Sequence, residues 1–577
     1  MVCRRSTRGV RGGCDEALPD VDISFYKRPR VPCVAVIERL DSNYSRLIIH
    51  ASGPNSTAPS ALQGATTRDP DLMPIKARVF GEVWNRFRFE QKKAFFLKRG
   101  RQFGWDSHVS FFDRRSGRFL AGLEPELAAF LDSIGLTQVQ VQDSSELGDP
   151  IESFSTHLVA DPLDGTVSKR QALPGAGEDT QPTPKETPLL TSHADGQVEL
   201  RDYQVRLILT ALKERRCLLK CATGGGKTLV MTALCQLLDQ ANIVVLCRSK
   251  MLVSQIAEVM SRYLPPDSLG RVSGEFSEVD RRVTVATIQS IKKIAKAVVH
   301  ADVLLVDEVH GFSSTLSKKQ LEGFHKTAFR LGFSATPLKV GDDIHNYRLK
   351  GLFGPIACDI TTQELTASDV LSTAAVRFVT ISYPAKITSI DWESAEKRGI
   401  YENQHMHQVV AFIVNNQIKT GRVMILVHRL DHGEALQAEI PGSIWISGSD
   451  SKADRQLAFA RLKASKPSEK IVVILSSIGN TGIDVLPHYL INCAGGGVTE
   501  ALTIQKIGRG LRTGPDKKFL HYIDFMHETN PYLRKHSELR LKTLFREGHS
   551  DITVDAQTEK LVFPSKNQSQ NRVIASD

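Results

Sequence analysis

The stretch CLLKCATGGGKTLV, residues 217–230, decides the fold. A short apolar run ends in a glycine turn, and the apolar residues after Thr228 have the pattern of a first helical turn. A strand, a glycine turn and a helix N-terminus in this order present backbone N–H groups to phosphate oxygens. The stretch is therefore predicted to form a phosphate-binding loop rather than a simple tight turn. Its predicted phosphate contacts are Thr223, Gly224, Gly225, Gly226, Lys227 and Thr228, of which Lys227 reaches the β/γ-phosphates and Thr228 holds Mg²⁺.

Length and composition indicate a soluble protein of several domains with a polyanionic partner. A chain of 577 residues is too long for one core. A hydrophobic content of 41% is ordinary, and a net charge of +10 favours a polyanion. Nine cysteines without a C-x-x-C pair suggest reduced thiols. No apolar stretch is long enough to span a bilayer, so we expect no membrane partner and a cytoplasmic location.

The N-terminal quarter predicts a small α+β module. The composition of residues 1–30 predicts a basic, disordered arm. Residues 31–142 are predicted to hold the module, with strands near 34–37, 46–49 and 109–111 and a helix over 125–134. A Ser/Thr/Pro-rich insertion occupies 52–70. Between 76 and 119 aromatic and basic residues interleave. This pattern suits stacking on bases with neutralisation of phosphates, and it equally suits an aromatic core with a charged face.

Residues 143–197 are rich in proline and glycine and are predicted to be a disordered linker. Beyond it, apolar runs alternate with helical stretches in two successive series, over 198–365 and 366–550, followed by a tail at 551–577. Apolar strands that alternate with helices indicate parallel sheets covered on both faces. The fold class is thus α/β, with two such domains. One nucleotide is expected at the carboxyl ends of the first sheet's strands, facing the second domain.

The second chemical landmark is the sequence LLVDEVH, residues 304–310. An apolar strand that delivers two carboxylates and a histidine suits a metal–nucleotide site. Asp307 can bind Mg²⁺, and Glu308 can orient and deprotonate the attacking water. The alternative is an acidic pair at an ordinary helix N-terminus, but a position 80 residues after Lys227 in the same sheet favours the catalytic interpretation.

The third landmark is QKIGRGLR, residues 505–512. Arg509 and Arg512 are three residues apart and share a helix face. From the second domain they can point across the cleft at the γ-phosphate, as an arginine finger does. Hydrolysis would then depend on closure of the cleft.

These stretches together resemble a superfamily 2 DExH helicase with tandem RecA-like domains. The ordered set comprises Tyr203-Gln204, ATGGGKT, DEVH, Ser334-Ala335-Thr336, Thr481-Gly482-Ile483-Asp484 and QKIGRGLR. The resemblance implies ATP and Mg²⁺ as cofactors. It also implies nucleotide contacts by Tyr203, by Gln204 reading adenine, by Gly482 and Asp484, and by Gln505 beside Arg509 and Arg512. His310, Ser334 and Thr336 would couple the state of ATP to the nucleic acid. The implied strand contacts are Arg248, Lys250, Gln255, Thr287, Gln289, His428, Arg429, Ser447 and Gly448.

A narrower likeness is to the UvsW-type phage DNA helicases. It is carried by Gly104-Trp105-Asp106 with the stretches 109–113 and 122–135, by 351–355 with Tyr383-Pro384, and by the basic helix 534–549. It covers about three-quarters of the chain, and the linker, the arm and the insertion depart from it. The likeness implies a monomeric motor of the host cytoplasm that remodels branched DNA, including Holliday junctions, stalled forks and RNA–DNA hybrids, in recombination, repair and replication.

Three alternatives stay open from the sequence. A DExH RNA helicase shares every motor motif. A restriction-type motor would need a nuclease, for which Asp71 followed by Glu90-Gln91-Lys92 has a superficially suitable spacing. An ATP-gated DNA clamp would bind without hydrolysis, although the hydrolytic residues are all present.

Overall fold

The chain divides by its internal contacts into two units, Met1–Glu146 and Leu147–Asp577. The structure is a computed structural model that describes residues 33–51, 72–90, 108–134, 136, 139–143, 158–160, 167–169, 189–192, 196–384, 387–388, 391–476, 486–495 and 500–555. The basic arm, the insertion at 52–70 and the motif 481–484 lie outside these ranges.

The first unit is built on a four-stranded sheet. Its strands and the hairpin beside it are β1 Cys33–Arg39, β2 Tyr44–Ala51, β3 Arg88–Glu90, β4 His108–Ser110, β5 Arg118–Leu120 and β6 Val139–Asp143. The sheet order is β5-β2-β1-β6, with β6 parallel to β1 and the other pairs antiparallel. Helices α1 Leu72–Arg86 and α2 Glu124–Ser133 accompany it. The predicted strands and the helix over 125–134 are therefore confirmed.

Most of the described aromatic residues of this unit are buried in its core. Phe80, Phe87, Phe112 and Phe119 are all at most 4% exposed. Arg88 lies over the ring of half-buried Trp84 at 4.2 Å. Where the structure describes it, the interleaved pattern is thus explained by packing, while residues 91–107 lie outside the described ranges.

Part of the segment predicted to be a disordered linker is ordered. Two antiparallel pairs occur within 143–197 and its border: β7 Leu158–Ala160 with β8 Val167–Lys169, and β9 Leu189–Ser192 with β10 Gly196–Glu199. Short strands of three or four residues carry too little periodicity to stand out in a proline- and glycine-rich background.

The first α/β domain contains a seven-stranded parallel sheet. Its strands are β11 Arg216–Cys221, β12 Ile243–Cys247, β13 Leu269–Val272, β14 Val283–Thr287, β15 Val303–Asp307, β16 Phe329–Ser334 and β17 Ile356–Ile360. Their order is β13-β14-β12-β15-β16-β11-β17. Helices α3 Asp202–Glu214, α4 Lys227–Leu237, α5 Lys250–Met260, α6 Ala295–Val299, α7 Thr315–Leu321, α8 Asp343–Phe353 and α9 Thr362–Ala367 complete it.

Apolar side chains on the two sides of this sheet enter different cores. Along β15, Val303 and Leu305 join one buried cluster, and Leu304 and Val306 join another. Successive residues of a strand point to opposite faces, so an uninterrupted apolar strand requires helices on both sides. The predicted two-sided sheet is confirmed.

The second α/β domain repeats the architecture. Its strands are β18 Thr373–Ile381, β19 Gly421–Leu426, β20 Ile444–Ile446, β21 Lys470–Leu475, β22 Tyr489–Asn492, β23 Phe519–His527 and β24 Ile552–Asp555. The order is β20-β21-β19-β22-β23-β18-β24, again parallel. Its helices are α10 Trp392–Glu396, α11 Gln404–Phe412, α12 Leu430–Glu439, α13 Lys452–Ala464, α14 Glu500–Gly510 and α15 Pro531–Arg546.

Strand β24 corrects the predicted tail. Residues 551–577 were expected to lie outside the domain, yet Ile552–Asp555 pairs with β18 at the edge of the second sheet. The short Ile-Thr-Val-Asp sequence follows a Gly-His pair and resembles an ordinary terminus, so only the pairing itself identifies it as a strand.

The two sheets share one buried apolar cluster. It contains Leu219 and Leu305 from the first domain, Ile507 and Leu520 from the second, and Leu371 from the segment that joins them. The domains therefore pack directly on each other through their connection. Within the described parts of the chain, no helix has the length and apolar character needed to cross a membrane.

Candidate ATP site between two domains

The glycine turn adopts a conformation suited to phosphate. Gly224 and Gly226 have φ values of +92° and +78°, which side chains other than glycine rarely adopt. Gly226 precedes α4, so Lys227 and Thr228 open the helix. The N–H groups of a first helical turn have no partner within the helix. The turn therefore has the backbone conformation that a phosphate-binding loop requires, and the Lys227 ammonium lies 3.4 Å from the carbonyl oxygen of Cys221.

The two acidic residues of DEVH lie at the carboxyl end of β15, next to this turn. Asp307 is 6% exposed, and its Oδ1 has no hydrogen-bond partner among the described residues. Burial, and then the charge of Glu308, raise the pKa of Asp307 to about 6 against the opposing effect of Lys227. An orphaned buried carboxylate oxygen fits a cation, so Asp307 together with the Thr228 hydroxyl suits a magnesium ion whose other ligands are phosphate and water.

Lys227 and the carboxylates hold one another in their charged forms. Burial lowers the pKa of Lys227, but Glu308, Cys221 and Asp307 more than offset this effect and leave it raised. Burial likewise raises the pKa of Glu308, and Lys227 and His310 bring it below its usual value. Ionised Glu308 is the form that can orient and accept a proton from water.

Glu308 sits at a strained backbone position. Its φ of 49° is in the left-handed region, where a residue with a side chain is uncommon. The conformation turns the chain from the strand into the short helix Val309–Phe312. Local strain of this kind concentrates at functional sites.

A chain of polar contacts joins the predicted coupling residues. His310 Nδ1 lies 3.3 Å from Glu308 Oε2 and 3.0 Å from Ser334 Oγ. Ser334 in turn donates to Glu308 at 3.4 Å and accepts from the Thr336 N–H at 3.1 Å. The structure therefore brings His310 together with Ser334 and Thr336, which follow it by more than 20 residues.

The arginine helix α14 of the second domain packs on the glycine turn of the first. A Cβ atom added at Gly508 would lie 2.6 Å from Thr223 Cβ, so only glycine permits this approach. A Cβ at Gly224 would lie 3.8 Å from Arg512 Cγ and 2.9 Å from Leu371 Cδ2. The phosphate cradle and the arginines thus face each other across the domain interface.

The electrostatic interactions of Arg509 and Arg512 also reach across the domain interface. Burial lowers the pKa of Arg509 to about 10, with a further lowering by Arg512 and an opposing effect of Glu308. Arg512 also opposes the charge of Lys227. The charge of Arg509 therefore interacts with the Glu308 carboxylate, and that of Arg512 with the Lys227 ammonium.

Other predicted nucleotide contacts have a different placement. Gln204 is buried, and its amide bonds the backbone: Nε2 donates to Gly225 O at 3.4 Å, and Oε1 accepts from Arg201 N at 3.0 Å. Tyr203 is 7% exposed. Gln505 is half-buried on α14. Gln204 thus braces the glycine turn, and its predicted reading of adenine stays a prediction, as do the roles of Gly482 and Asp484, which lie outside the described residues.

The residues that are predicted to contact a nucleic-acid strand lie near the carboxyl ends of the β-strands. Arg248, Lys250 and Gln289 are exposed in the first domain, and His428 and Arg429 in the second. Gln255 and Gly448 are half-buried. Arg429 forms a two-oxygen ion pair with Asp431. This edge supplies basic and polar side chains from both domains.

Two of these predicted contacts need correction. Thr287 is 4% exposed and its hydroxyl lies 2.9 Å from Ser290 Oγ, while Ser447 is 3% exposed and bonds Ser449. These two hydroxyls form hydrogen bonds within the turns that follow β14 and β20. In this placement the two side chains support their exposed neighbours and do not face a nucleic acid. Lys506, the residue after Gln505, likewise faces inward and donates to Asn492 Oδ1 at 3.0 Å.

Sequence reasoning missed the residues that hold α14 in place. Leu371, Ser372 and Lys517 belong to no motif, and they meet α14 only through tertiary contacts. The single available signal was a lysine in a short turn beside an apolar strand, which is common on protein surfaces.

Comparison with known proteins agrees with a motor assignment. A family profile described as "Type III restriction enzyme, res subunit" matches residues 197–339. A protein named as a candidate helicase, helicase 22, of Sulfolobus islandicus filamentous virus (isolate Iceland/Hveragerdi) is 24% identical over 62% of this chain and 69% of its own length. The DNA 3'-5' translocase XPB2 of Sulfurisphaera tokodaii is 23% identical over 55% of this chain and 79% of its own length.

Among solved structures, the crystal structure of UvsW from bacteriophage T4 covers 90% of this chain and 99% of its own, with 17% identity and a TM-score of 0.40. Among the described residues, the glycine turn, the DEVH stretch and the arginine helix lie where two parallel-sheet domains meet, and the sequence relatives are named as helicase and translocase. The chain is therefore similar to the superfamily 2 helicases and translocases, and these relatives support an ATP-driven nucleic-acid motor.

Proposed function

We propose that this motor is a DNA helicase that remodels branched DNA: it migrates Holliday junctions, regresses forks and unwinds RNA–DNA and displacement loops. The observation that supports an ATP-driven motor is the placement of Lys227 and Glu308 in one domain close to Arg509 and Arg512 of the other. The likeness of residues 76–142 and 534–549 to UvsW-type enzymes supports the branched substrate.

The residues of the site divide the work of hydrolysis. Lys227 neutralises the transferred phosphate, and Glu308 orients the attacking water and accepts its proton. Mg²⁺, held by Asp307 and Thr228, would offset charge on the β- and γ-oxygens. Arg509 and Arg512 stabilise the charge of the transition state, which in measured phosphoryl-transfer enzymes is worth about 10³- to 10⁵-fold in rate.

The polar chain behind Glu308 provides a path to the nucleic acid. Loss of the γ-phosphate changes the field at Glu308, and Ser334 bonds both that carboxylate and the Thr336 backbone. Exposed Arg248 and Arg429 lie on separate domains near strand ends. If each domain grips the same backbone, opening and closing of the cleft becomes a step along one strand.

Branch migration requires little net free energy from such a motor. Opening a duplex costs a mean of about 1.4 kcal/mol per base-pair step in stacking. At a junction, each pair broken ahead is matched by one formed behind, so ATP supplies direction more than net energy. Contacts to the backbone also predict weak sequence preference and strong salt dependence.

The test is ATP-dependent remodelling of matched substrates. Fork, Holliday junction, R-loop and blunt duplex of the same sequences are compared, with Lys227→Ala as the inactive control. We expect branched substrates to be resolved far faster than the blunt duplex, and no remodelling by the control. Equal rates on branched and blunt substrates would reduce the proposal to a generic motor.

The choice between DNA and RNA is measured separately. ATP hydrolysis is stimulated with a single-stranded DNA and with an RNA of the same sequence. We expect the DNA to stimulate more. Equal or greater stimulation by the RNA would favour an RNA helicase.

A restriction-type motor is a second candidate because the family profile over 197–339 carries that description. Glu90 is exposed at the end of β3, while Asp71 and Lys92 lie outside the described residues. Magnesium-dependent DNA cleavage that disappears in Asp71→Ala would support this candidate. We expect no cleavage by the unmodified chain.

A further inference from the structure

The carboxyl end of α14 is held by a buried lysine outside every motif. Lys517 is 1% exposed. Its ammonium donates to the carbonyl oxygens of Gly510 and, at 2.8 Å, of Arg512, and it lies 3.4 Å from Ser372 Oγ. The last carbonyl groups of a helix lack partners within the helix, and a cation there satisfies them and complements the helix dipole.

The same carbonyl groups are tied to the segment that connects the domains. Ser372 N–H donates to Leu511 O at 2.6 Å, and Ser372 Oγ donates to Arg512 O at 3.3 Å. Thr513 Oγ1 donates to Val370 O at 3.1 Å. The backbone of Arg512 is thus fixed from two directions, by the connecting segment and by Lys517.

This connecting segment also contacts the phosphate-binding turn. A Cβ atom at Gly224 would lie 2.9 Å from Leu371 Cδ2 and 3.8 Å from Arg512 Cγ. The ammonium of Lys517 therefore stabilises the place where the glycine turn, the segment that connects the domains and Arg512 meet. A small shift of the Gly510 and Arg512 carbonyl groups would move Arg512 relative to the phosphates.

Burial of a charged lysine at this position has a large desolvation cost. Burial, and then the charge of Arg422, lower the pKa of Lys517 to about 7 against the opposing effect of Asp516. Asp516 is already engaged in a two-point ion pair with Arg422, at 2.8 and 3.0 Å. An apolar side chain would fill the same space without the cost of desolvating a charge. A role beyond packing accounts for its presence.

We propose that Lys517 is a positioning residue for Arg512: it holds the carbonyl groups of Gly510 and Arg512 so that the Arg512 guanidinium meets the phosphates during hydrolysis. This inference rests on the proposed function, in which Arg512 stabilises the transition state. It extends the catalytic apparatus to a residue with no direct contact to the nucleotide.

The test compares Lys517→Met with Lys518→Met, the exposed neighbour, as the matched control. Steady-state hydrolysis at saturating DNA gives kcat and KM, and ADP affinity and the melting temperature are measured beside it. We expect Lys517→Met to lower kcat by about 10- to 100-fold, since a misplacement near 1 Å can cost about 100-fold. ADP affinity should change by less than about threefold, and the control should match the unmodified protein.

A double-variant cycle separates positioning from general damage. If Lys517 acts through Arg512, Lys517→Met should slow hydrolysis no further in an Arg512→Ala background. Additive losses, or a normal kcat for Lys517→Met when Arg512→Ala is slow, would overturn the inference. A normal kcat for Arg512→Ala would instead overturn the proposed function. If Lys517→Met does not fold, Lys517→Gln keeps an N–H donor at this position and is judged by the same cycle, with a smaller loss expected.

Discussion

At the scale of single residues, the site depends on hydrogen bonds that span long stretches of sequence. Ser334 is fully buried, and its hydroxyl meets the carboxylate of Glu308, the imidazole of His310 and the N–H of Thr336. The Ser334 hydroxyl therefore holds these three groups together, and in the proposed mechanism it also responds to the state of ATP. Its removal should affect the transmission of ATP state more than hydrolysis itself.

We therefore expect Ser334→Ala to lower the number of base pairs opened per ATP hydrolysed. The alanine leaves Glu308 and Lys227 in place, so kcat should fall by less than about tenfold, the equivalent of one hydrogen bond of about 0.5–1.5 kcal/mol. Unwinding and hydrolysis are measured on the same fork. Equal losses in the two rates would show that Ser334 serves catalysis alone.

At the scale of elements, the decisive contact is that of α14 with the glycine turn. Gly508 faces Thr223 so closely that a methyl group would overlap the threonine side chain, at 2.6 Å between Cβ atoms. Because alanine favours a helix over glycine by about 1 kcal/mol, a change at this position separates helix stability from interface fit.

We expect Gly508→Ala to lower kcat by at least about tenfold, because the added methyl pushes the arginines away from the phosphates. The isolated propensity of the helix would improve, so the melting temperature should fall little. The additional change Thr223→Gly removes the overlapping atoms and should restore part of the rate. A Gly508→Ala variant with unchanged kcat would contradict the close packing of α14 on the turn.

The edge strand β24 gives a second test at this scale. A chain that ends after residue 555 keeps the pairing with β18, whereas one that ends after residue 550 leaves backbone groups of β18 without partners. We expect the shorter chain to melt at least about 2–4 °C lower, which corresponds to about 1 kcal/mol in a domain of this size. Equal melting temperatures would mean that β24 adds nothing to the second domain.

The strands show which parts of the fold are readable from the sequence. Central strands such as Val303–Asp307 and Gly421–Leu426 are buried on both faces and therefore form continuous apolar runs. Edge strands such as Leu269–Val272 and Ile356–Ile360 alternate in burial and include polar residues, so they escape the same search. Likewise, the motif residues of the site were predictable, because their chemistry requires a fixed spacing. Ser372 was not, because it meets Arg512 across 140 residues of the chain, and Lys517 was not, because a lysine in a short turn is ordinarily exposed.

At the scale of the whole molecule, buried imidazoles tie stability to pH. Burial lowers the pKa of His432 and His527 to about 3 and that of His345 and His549 to about 4. An unfolded histidine titrates near 6.5, so below that value the unfolded chain binds protons that the folded chain excludes. Each such group contributes stability that is complete above about pH 6.5 and is lost progressively as the pH falls toward its folded pKa.

His432 offers a clean measurement of this effect. It is fully buried, stacks on His407 at 5.1 Å, and neither of its ring nitrogens has a hydrogen-bond partner among the described residues. We expect His432→Leu to lose less stability than the unmodified protein below pH 6.5, by up to about 1.4 kcal/mol per pH unit. Denaturant unfolding between pH 7 and 5 measures the slopes, with exposed His300→Leu as control. Parallel slopes for all three proteins would contradict a neutral buried His432.

The account as a whole claims that the second domain completes the ATP site of the first. Hydrolysis by Arg509→Ala, at saturating ATP and DNA and with ADP affinity measured in parallel, tests this claim most directly. We predict that kcat falls by about 10³-fold or more, as for an arginine finger, while ADP affinity changes by less than about tenfold. A kcat within threefold of the unmodified protein would contradict it.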